Sequence, residues 1–216
     1  MIFPQPASAK ILLLLIAVVA WFALVAQFYL NITSGVAALP ELLIRYFSYF
    51  TILTNILVAA CCTSLLLRSN SSKGSFFTSQ QTRAAIVVYI VIVGIVYNTV
   101  LRSLWQPKGL QLVVDEILHL ITPVLFLLYW LFFVPKNSLK WKHSINWMIY
   151  PLFYGAFVLT RGYLSASQFY PYPFIDISKI GVNGGIMNTL LFTAIFLIAS
   201  LLLIGVGKLM SRKING

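Results

Sequence analysis

The sequence predicts an all-α polytopic membrane protein, a single bundle of six transmembrane helices with both termini cytoplasmic. Three observations carry that prediction. Of 216 residues, 60% are hydrophobic and 9% charged, with a mean hydropathy of +0.93, whereas a soluble domain carries roughly a quarter of its residues as charges. The apolar residues also fall in uncharged runs of about twenty, the length that crosses a hydrocarbon core as helix. Finally, the basic side chains distribute unevenly once those runs are threaded alternately through a bilayer.

The first run extends from Ile11 to about Leu30 after the single basic Lys10. It is long for a signal-peptide core and no small-x-small cleavage site follows, so it reads as a spanning helix. The second, about Leu42 to Leu67, is polar in its first half and leads into a Ser/Asn/Gly/Lys-rich linker, Ser69 to Gln81, that reads as a solvated loop. The third runs from about Ala84 to Leu104, and a loop with Pro107 and Gly109 joins it to the fourth, about Leu112 to Val134. Pro135 stops that helix, because it cannot donate to the preceding turn. A basic stretch with Lys136, Lys140, Lys142 and His143 leads to the fifth span, about Trp147 to Leu164. The loop Tyr170-Pro171-Tyr172-Pro173-Phe174 either anchors the chain at headgroup level or forms an interfacial lid. The last span, about Gly185 to Val206, ends in a basic tail. Gly94, Gly155 and Gly162 are candidates for close helix approach. Neither a soluble domain nor an internal repeat appears.

With the N-terminus inside, Lys10, Arg68, Lys73, Arg83, Lys136, Lys140, Lys142, Lys208, Arg212 and Lys213 face the cytoplasm. Arg45, Arg102, Lys108, Arg161 and Lys179 then fall on the outer half with all four acids, Glu41, Asp115, Glu116 and Asp176. That bias follows the positive-inside rule. It also accounts for the net charge of +11 without nucleic acid, for which no aromatic-interleaved basic patch exists. Cys61 and Cys62 are adjacent and offer no disulfide framework. Two distant histidines without CxxC or HExxH predict no metal site, and no cofactor motif is present. Two glycosylation triplets, Asn31-Ile32-Thr33 and Asn70-Ser71-Ser72, would lie on opposite sides and decide nothing.

Polar groups in hydrocarbon are costly and face a partner or cavity inside the bundle. On the second helix Ser48, Thr51 and Asn55 share one arc, with Arg45 at its edge and Thr54 outside it. Such a stripe is either interhelical hydrogen-bond glue or the wall of a site. On the fourth helix Asp115 and His119 are four apart, one above the other. A carboxylate there fixes the imidazole tautomer, the third-member role of a catalytic triad, or else the pair simply holds helices together. Asn98 and Arg102 at the outer end of the third helix, and Thr160 and Arg161 at that of the fifth, line a polar pocket, hold lipid phosphates or snorkel; snorkelling is the reading preferred for Arg161. Thr51 and His119 lie at matched depth, about 10–13 Å below the outer helix ends. A hydroxyl and an imidazole there have the makings of an activated nucleophile.

The run Arg45-Tyr46-Phe47-Ser48-Tyr49-Phe50-Thr51-Ile52-Leu53-Thr54-Asn55, the segment Asp115-Glu116-x-x-His119-x-x-Thr122-Pro123 and Tyr150-Pro151-x-x-Tyr154 resemble a bacterial family of six-helix membrane proteins. So do Arg161-Gly162-Tyr163 and Tyr172-Pro173-Phe174. That family is similar to the eukaryotic androgen-induced membrane proteins, among them intramembrane threonine hydrolases of fatty acid esters of hydroxy fatty acids. The resemblance implies a bacterial inner-membrane location, Thr51 as nucleophile and His119 as base. One extra residue before Asn55 keeps Thr54 as a second candidate, and Asp115-Glu116 replaces other polar residues of the eukaryotic segment.

The expectation is therefore hydrolysis of a membrane lipid ester in the outer half of the bilayer. Thr51 attacks, His119 takes its proton, Asp115 orients His119, and Asn98, Asn55 or Arg102 stabilises the oxyanion. The alternative is a non-enzymatic protein that binds or moves a lipid or small amphiphile through the same pocket. Intramembrane proteolysis lacks both a GxSxG-like motif and paired intramembrane aspartates.

Overall fold

A computed structural model describes residues 6–67, 76–165 and 167–215, the side chains of 212–215 excepted. Among the described residues there are helices and no strands. The helices are α1 (Ala7–Thr33), α2 (Leu39–Ser48), α3 (Phe50–Leu67), α4 (Gln80–Val96), α5 (Leu110–Glu116), α6 (Thr122–Phe133), α7 (His143–Asn146), α8 (Ile149–Leu164) and α9 (Ile177–Asn215). Two π-turns interrupt them, Tyr97–Leu101 after α4 and Ile117–Ile121 between α5 and α6.

Five segments are long and apolar enough to cross a bilayer: α1, α3, Gln80–Leu104, Leu110–Phe133 and Ile177–Ser211. The remaining expected crossing is α8, whose 16 residues rise only about 24 Å, short of a hydrocarbon core of roughly 30 Å. The first half of the expected Ser69–Gln81 linker lies outside the described residues, as does the Asn70 triplet. Its second half forms a 3-10 turn at Phe76–Thr78 before α4 begins.

The bundle is apolar outside as well as inside, which is how a helix solvated by lipid must be built. On α1 a stripe of Ala9, Leu13, Ile16, Ala17, Ala20, Ala23 and Leu24 is buried, while Ile11, Leu14, Val18 and Val25 are exposed. The alanines let α1 approach closely, so that van der Waals contact rather than water exclusion holds the helices. Hydrogen bonds add to it: Trp21 Nε1 donates to Thr63 Oγ1 at 3.1 Å, and the Tyr46 hydroxyl donates to the Leu24 carbonyl at 2.7 Å. At the basic end Lys136 Nζ donates to the carbonyls of Trp130, Leu131 and Val134, closing the C-terminus of α6, whose last carbonyls lack helical partners. Cys61 and Cys62 are buried and free.

Two departures from the expected spans matter. The second run is not one helix: extended backbone at Tyr49 (φ −82°, ψ 125°) separates α2 from α3. The final helix starts at Ile177 and bends at Gly181 (φ 71°), a left-handed conformation that glycine adopts without steric cost. Of the three glycines proposed for close approach, Gly94 packs against the His119 carbonyl and Gly162 against the Tyr170 ring, whereas Gly155 faces open space.

Candidate functional site

The break at Tyr49 leaves the first N–H groups of α3 without helical partners, and tyrosines from distant segments fill the gap. The Phe50 N–H donates to the Tyr154 hydroxyl at 3.2 Å, and that hydroxyl donates in turn to the Ser48 carbonyl at 2.8 Å. Tyr154 thus bridges both ends of the break. The Thr51 N–H donates to the Tyr172 hydroxyl at 3.2 Å, with Thr51 Oγ1 at 3.3 Å from the same oxygen. One turn deeper, Thr54 Oγ1 and the Tyr150 hydroxyl are 3.2 Å apart. Tyr150 and Tyr154 reach two successive levels because residues four apart share a face of α8.

Thr51 forms part of the wall of a cavity of about 310 Å³, at the lower end of the size range of small-molecule sites. The cavity lies between α3, α4, α8 and α9, with Tyr172, Phe174 and Ile175 also in its wall. Its wall is mainly apolar, with Val93, Leu152, Phe192 and Phe196 among its members; Thr51, Tyr154 and Tyr172 form one polar spot. Thr54 and Asn55 are fully buried and outside the wall, so the geometry favours Thr51 over Thr54 as a group able to meet a ligand. Tyr172 and Phe174 face the cavity, with Phe174 stacked on Tyr172 at 5.1 Å and tilted against Phe192 at 4.6 Å.

His119 stands beside this cavity and not in its wall. Its ring stacks on Tyr97, a wall residue, with centroids 3.8 Å apart and planes at 13°. Its Nδ1 lies 2.9 Å from the Asp115 carbonyl oxygen. A carbonyl only accepts, so Nδ1 carries the hydrogen and Nε2 presents its lone pair. Nε2 has no hydrogen-bond partner among the described residues, and Thr51 and His119 do not touch through a hydrogen bond.

The expected Asp115 carboxylate to His119 pairing is therefore replaced by a bond from the same residue's backbone. The carboxylate instead accepts from the Tyr97 hydroxyl at 3.1 Å, Trp105 Nε1 at 2.6 Å and Gln111 Nε2 at 3.0 Å. The physical reason is competition: three donors from Tyr97, Trp105 and Gln111 take up the carboxylate, and His119, in the π-turn Ile117–Ile121, bonds the backbone carbonyl four residues back. Among the expected oxyanion donors, Asn55 Nδ2 already donates to the carbonyls of Thr51 and Leu118, and Asn98 Nδ2 to those of Gly94 and His119. Arg102 is ion-paired with Glu116. None of the three lines the cavity, whereas the Tyr172 hydroxyl lies against Thr51 in its wall. Ser48 is buried on α2, its Oγ committed to the Ile44 carbonyl. Tyr172 and Tyr154 carried no signal in the polar-stripe argument, although both lie in the motifs that carry the family resemblance.

Arg161 turns inward rather than snorkelling. It donates to the Phe169 carbonyl and to Glu41 Oε1, which also accepts from Arg45 and Ser167. Hydrogen bonding by Arg45, offset in part by desolvation and reinforced by Arg161, lowers the Glu41 carboxyl to about 2. The cluster fastens α2 to the end of α8 and the loop that follows. Among the described residues no three His, Cys, Asp or Glu side chains group as metal ligands.

Together these features define an all-helical protein with five helices fit for membrane crossing and an apolar, hydroxyl-tipped intramembrane cavity. No family model, curated protein or solved structure gives a significant match to the chain.

Proposed function

We propose that this chain is an intramembrane threonine hydrolase of lipid esters, related to the bacterial six-helix family that its motifs resemble. The observation that carries the reading is Thr51 in the wall of an apolar cavity, at the N-terminus of a broken helix, with the Tyr172 hydroxyl against it. The acyl chain occupies the apolar cavity and its ester carbonyl lies at Thr51. Thr51 Oγ attacks the carbonyl carbon as its proton passes to His119 Nε2, and the Tyr172 hydroxyl donates to the oxyanion. Collapse expels the alcohol, which takes the proton from His119. Water, deprotonated by the same nitrogen, then attacks the acyl carbon; the acid leaves as the bond to Thr51 Oγ breaks and that oxygen recovers the proton from His119. On this reading His119 Nε2, which lies behind the Tyr97 ring, reaches Thr51 by side-chain movement when the substrate is engaged.

The position of His119 outside the cavity wall favours a second reading, in which the cavity binds a lipid or small amphiphile without chemistry. Turnover of a long-chain p-nitrophenyl ester by the protein in nanodiscs separates the two. The hydrolase reading expects turnover and fluorophosphonate labelling, both lost in Thr51→Ala and His119→Ala variants that keep their thermal midpoint. Turnover retained in Thr51→Ala overturns the nucleophile assignment. Saturable binding of a photoreactive fatty acid, with no turnover by the native protein, establishes the second reading.

We further infer that α7, Trp147–Met148 and α8 together make a sixth crossing, with both termini cytoplasmic in a bacterial inner membrane. The supporting observations are the helical path from His143 to Leu164, nearly continuous, and the excess of basic residues in alternate loops. Reporter fusions at either terminus test it; activity of a periplasm-dependent reporter at one end alone refutes the even count.

A further inference from the structure

We propose that Tyr97 is a positioning residue that separates His119 from the cavity and admits it when the Tyr97–Asp115 bond opens; this rests on the hydrolase reading. Tyr97 is the residue common to both halves of the site. It forms part of the cavity wall, and its ring stacks face to face on His119 at 3.8 Å. Its hydroxyl is held 3.1 Å from Asp115 Oδ2, and Trp105 and Gln111 hold that carboxylate in place. Asp115 thereby acts on the imidazole through the tyrosine.

The backbone on both sides is fixed. A Cβ on Gly94 would lie 3.0 Å from the His119 carbonyl oxygen, so α4 and the His119 turn are already at closest approach. Asn98 Nδ2 ties the carbonyls of Gly94 and His119 together. Any approach of Nε2 to the cavity must therefore come from side-chain rotation, and the ring in its way is Tyr97. Tyr97 also opens one π-turn while His119 occupies the middle of another. Such turns are rare and recur at functional sites. With Nδ1 bonded to a carbonyl, Nε2 is the nitrogen that displacement of Tyr97 exposes, and it is also the nitrogen that accepts the Thr51 proton.

The test measures access and turnover separately. The chain has two histidines, so a His143→Gln background leaves His119 as the only histidine open to diethyl pyrocarbonate, and peptide-level mapping separates its adduct from those on other side chains. Ethoxycarbonylation of His119 is followed by mass spectrometry in the full-length protein in nanodiscs, alone and with Tyr97→Phe or Tyr97→Leu. Loss of a hydrogen bond to a charged acceptor is expected to raise the Tyr97→Phe labelling rate about tenfold. Removal of the ring in Tyr97→Leu raises it at least as far. For the p-nitrophenyl ester, Tyr97→Phe is expected to raise kcat with KM little changed. Unaltered His119 labelling in both variants, each with a native thermal midpoint, overturns the proposal. Accelerated labelling with no ester turnover by any form supports the access role of Tyr97 and refutes the hydrolase reading instead.

Discussion

Replacing Tyr172 by phenylalanine isolates one hydroxyl at the centre of the site. The ring's stacking on Phe174 at 5.1 Å and its edge contact with Tyr49 at 5.7 Å survive the change. What is lost is the acceptor for the Thr51 N–H at 3.2 Å and the partner of Thr51 Oγ1 at 3.3 Å. Leaving a buried donor unpaired costs about 1–3 kcal/mol, and these long contacts place the loss in the lower half of that range. A transition-state oxyanion donor is a larger matter, and its removal lowers kcat by about a hundredfold or more. Tyr172→Phe is therefore expected to fold with a slightly lowered thermal midpoint, to keep its KM and to lose kcat by about two orders of magnitude. Tyr154→Phe is the control. Its hydroxyl is committed to Phe50 N–H and the Ser48 carbonyl, so it costs stability without a comparable selective loss of kcat. A Tyr172→Phe enzyme with more than half the native kcat would refute the assignment of the oxyanion donor.

Gly155→Leu places a side chain into open cavity, since nothing lies within 4 Å of an added Cβ. Turnover of long-chain esters should fall severalfold relative to short-chain ones with the thermal midpoint unchanged, as read from a chain-length series. Gly94→Ala forces a methyl against the His119 carbonyl at 3.0 Å and Pro123 Cβ at 3.3 Å. Overpacking of this kind costs about 1–3 kcal/mol, measurable as a lowered denaturation midpoint. Glu41 has its carboxyl lowered from 4.5 to about 2 in the fold. Its stabilising contribution is present above pH 4.5 and lost as pH falls through about 2. Glu41→Gln should accordingly lower the thermal midpoint at pH 7, and the difference from the native protein should shrink as the pH is lowered from 4.5 towards 2.

The helical class and the positions of most spans were legible because hydrocarbon imposes length and polarity on any segment that crosses it. The burial of Thr51 and Asn55 among neighbouring helices was legible from their shared polar arc. The break at Tyr49 was not: no proline or glycine marks it, and what stabilises it is a pair of hydroxyls from residues more than a hundred positions away. The Asp115–His119 relation failed for a related reason. The spacing of four is an α-helical rule, whereas His119 sits in a π-turn, and no residue in Ile117–Ile121 marks that turn in the sequence. Gly181 was visible as a glycine but not as a bend, since its left-handed backbone depends on how the final helix meets the loop before it.

The unfinished end of α3 has a consequence for biogenesis. Its amide groups are satisfied by Tyr154 and Tyr172, 104 and 121 residues further along from their partners, and ribosomes deliver chains from the amino end. Throughout most of synthesis Thr51 therefore sits on a helix whose mouth is bare. The Thr51 corner of the cavity is completed only when the last third of the polypeptide has been threaded into the membrane, and on the proposed hydrolase reading a product terminated earlier is inert.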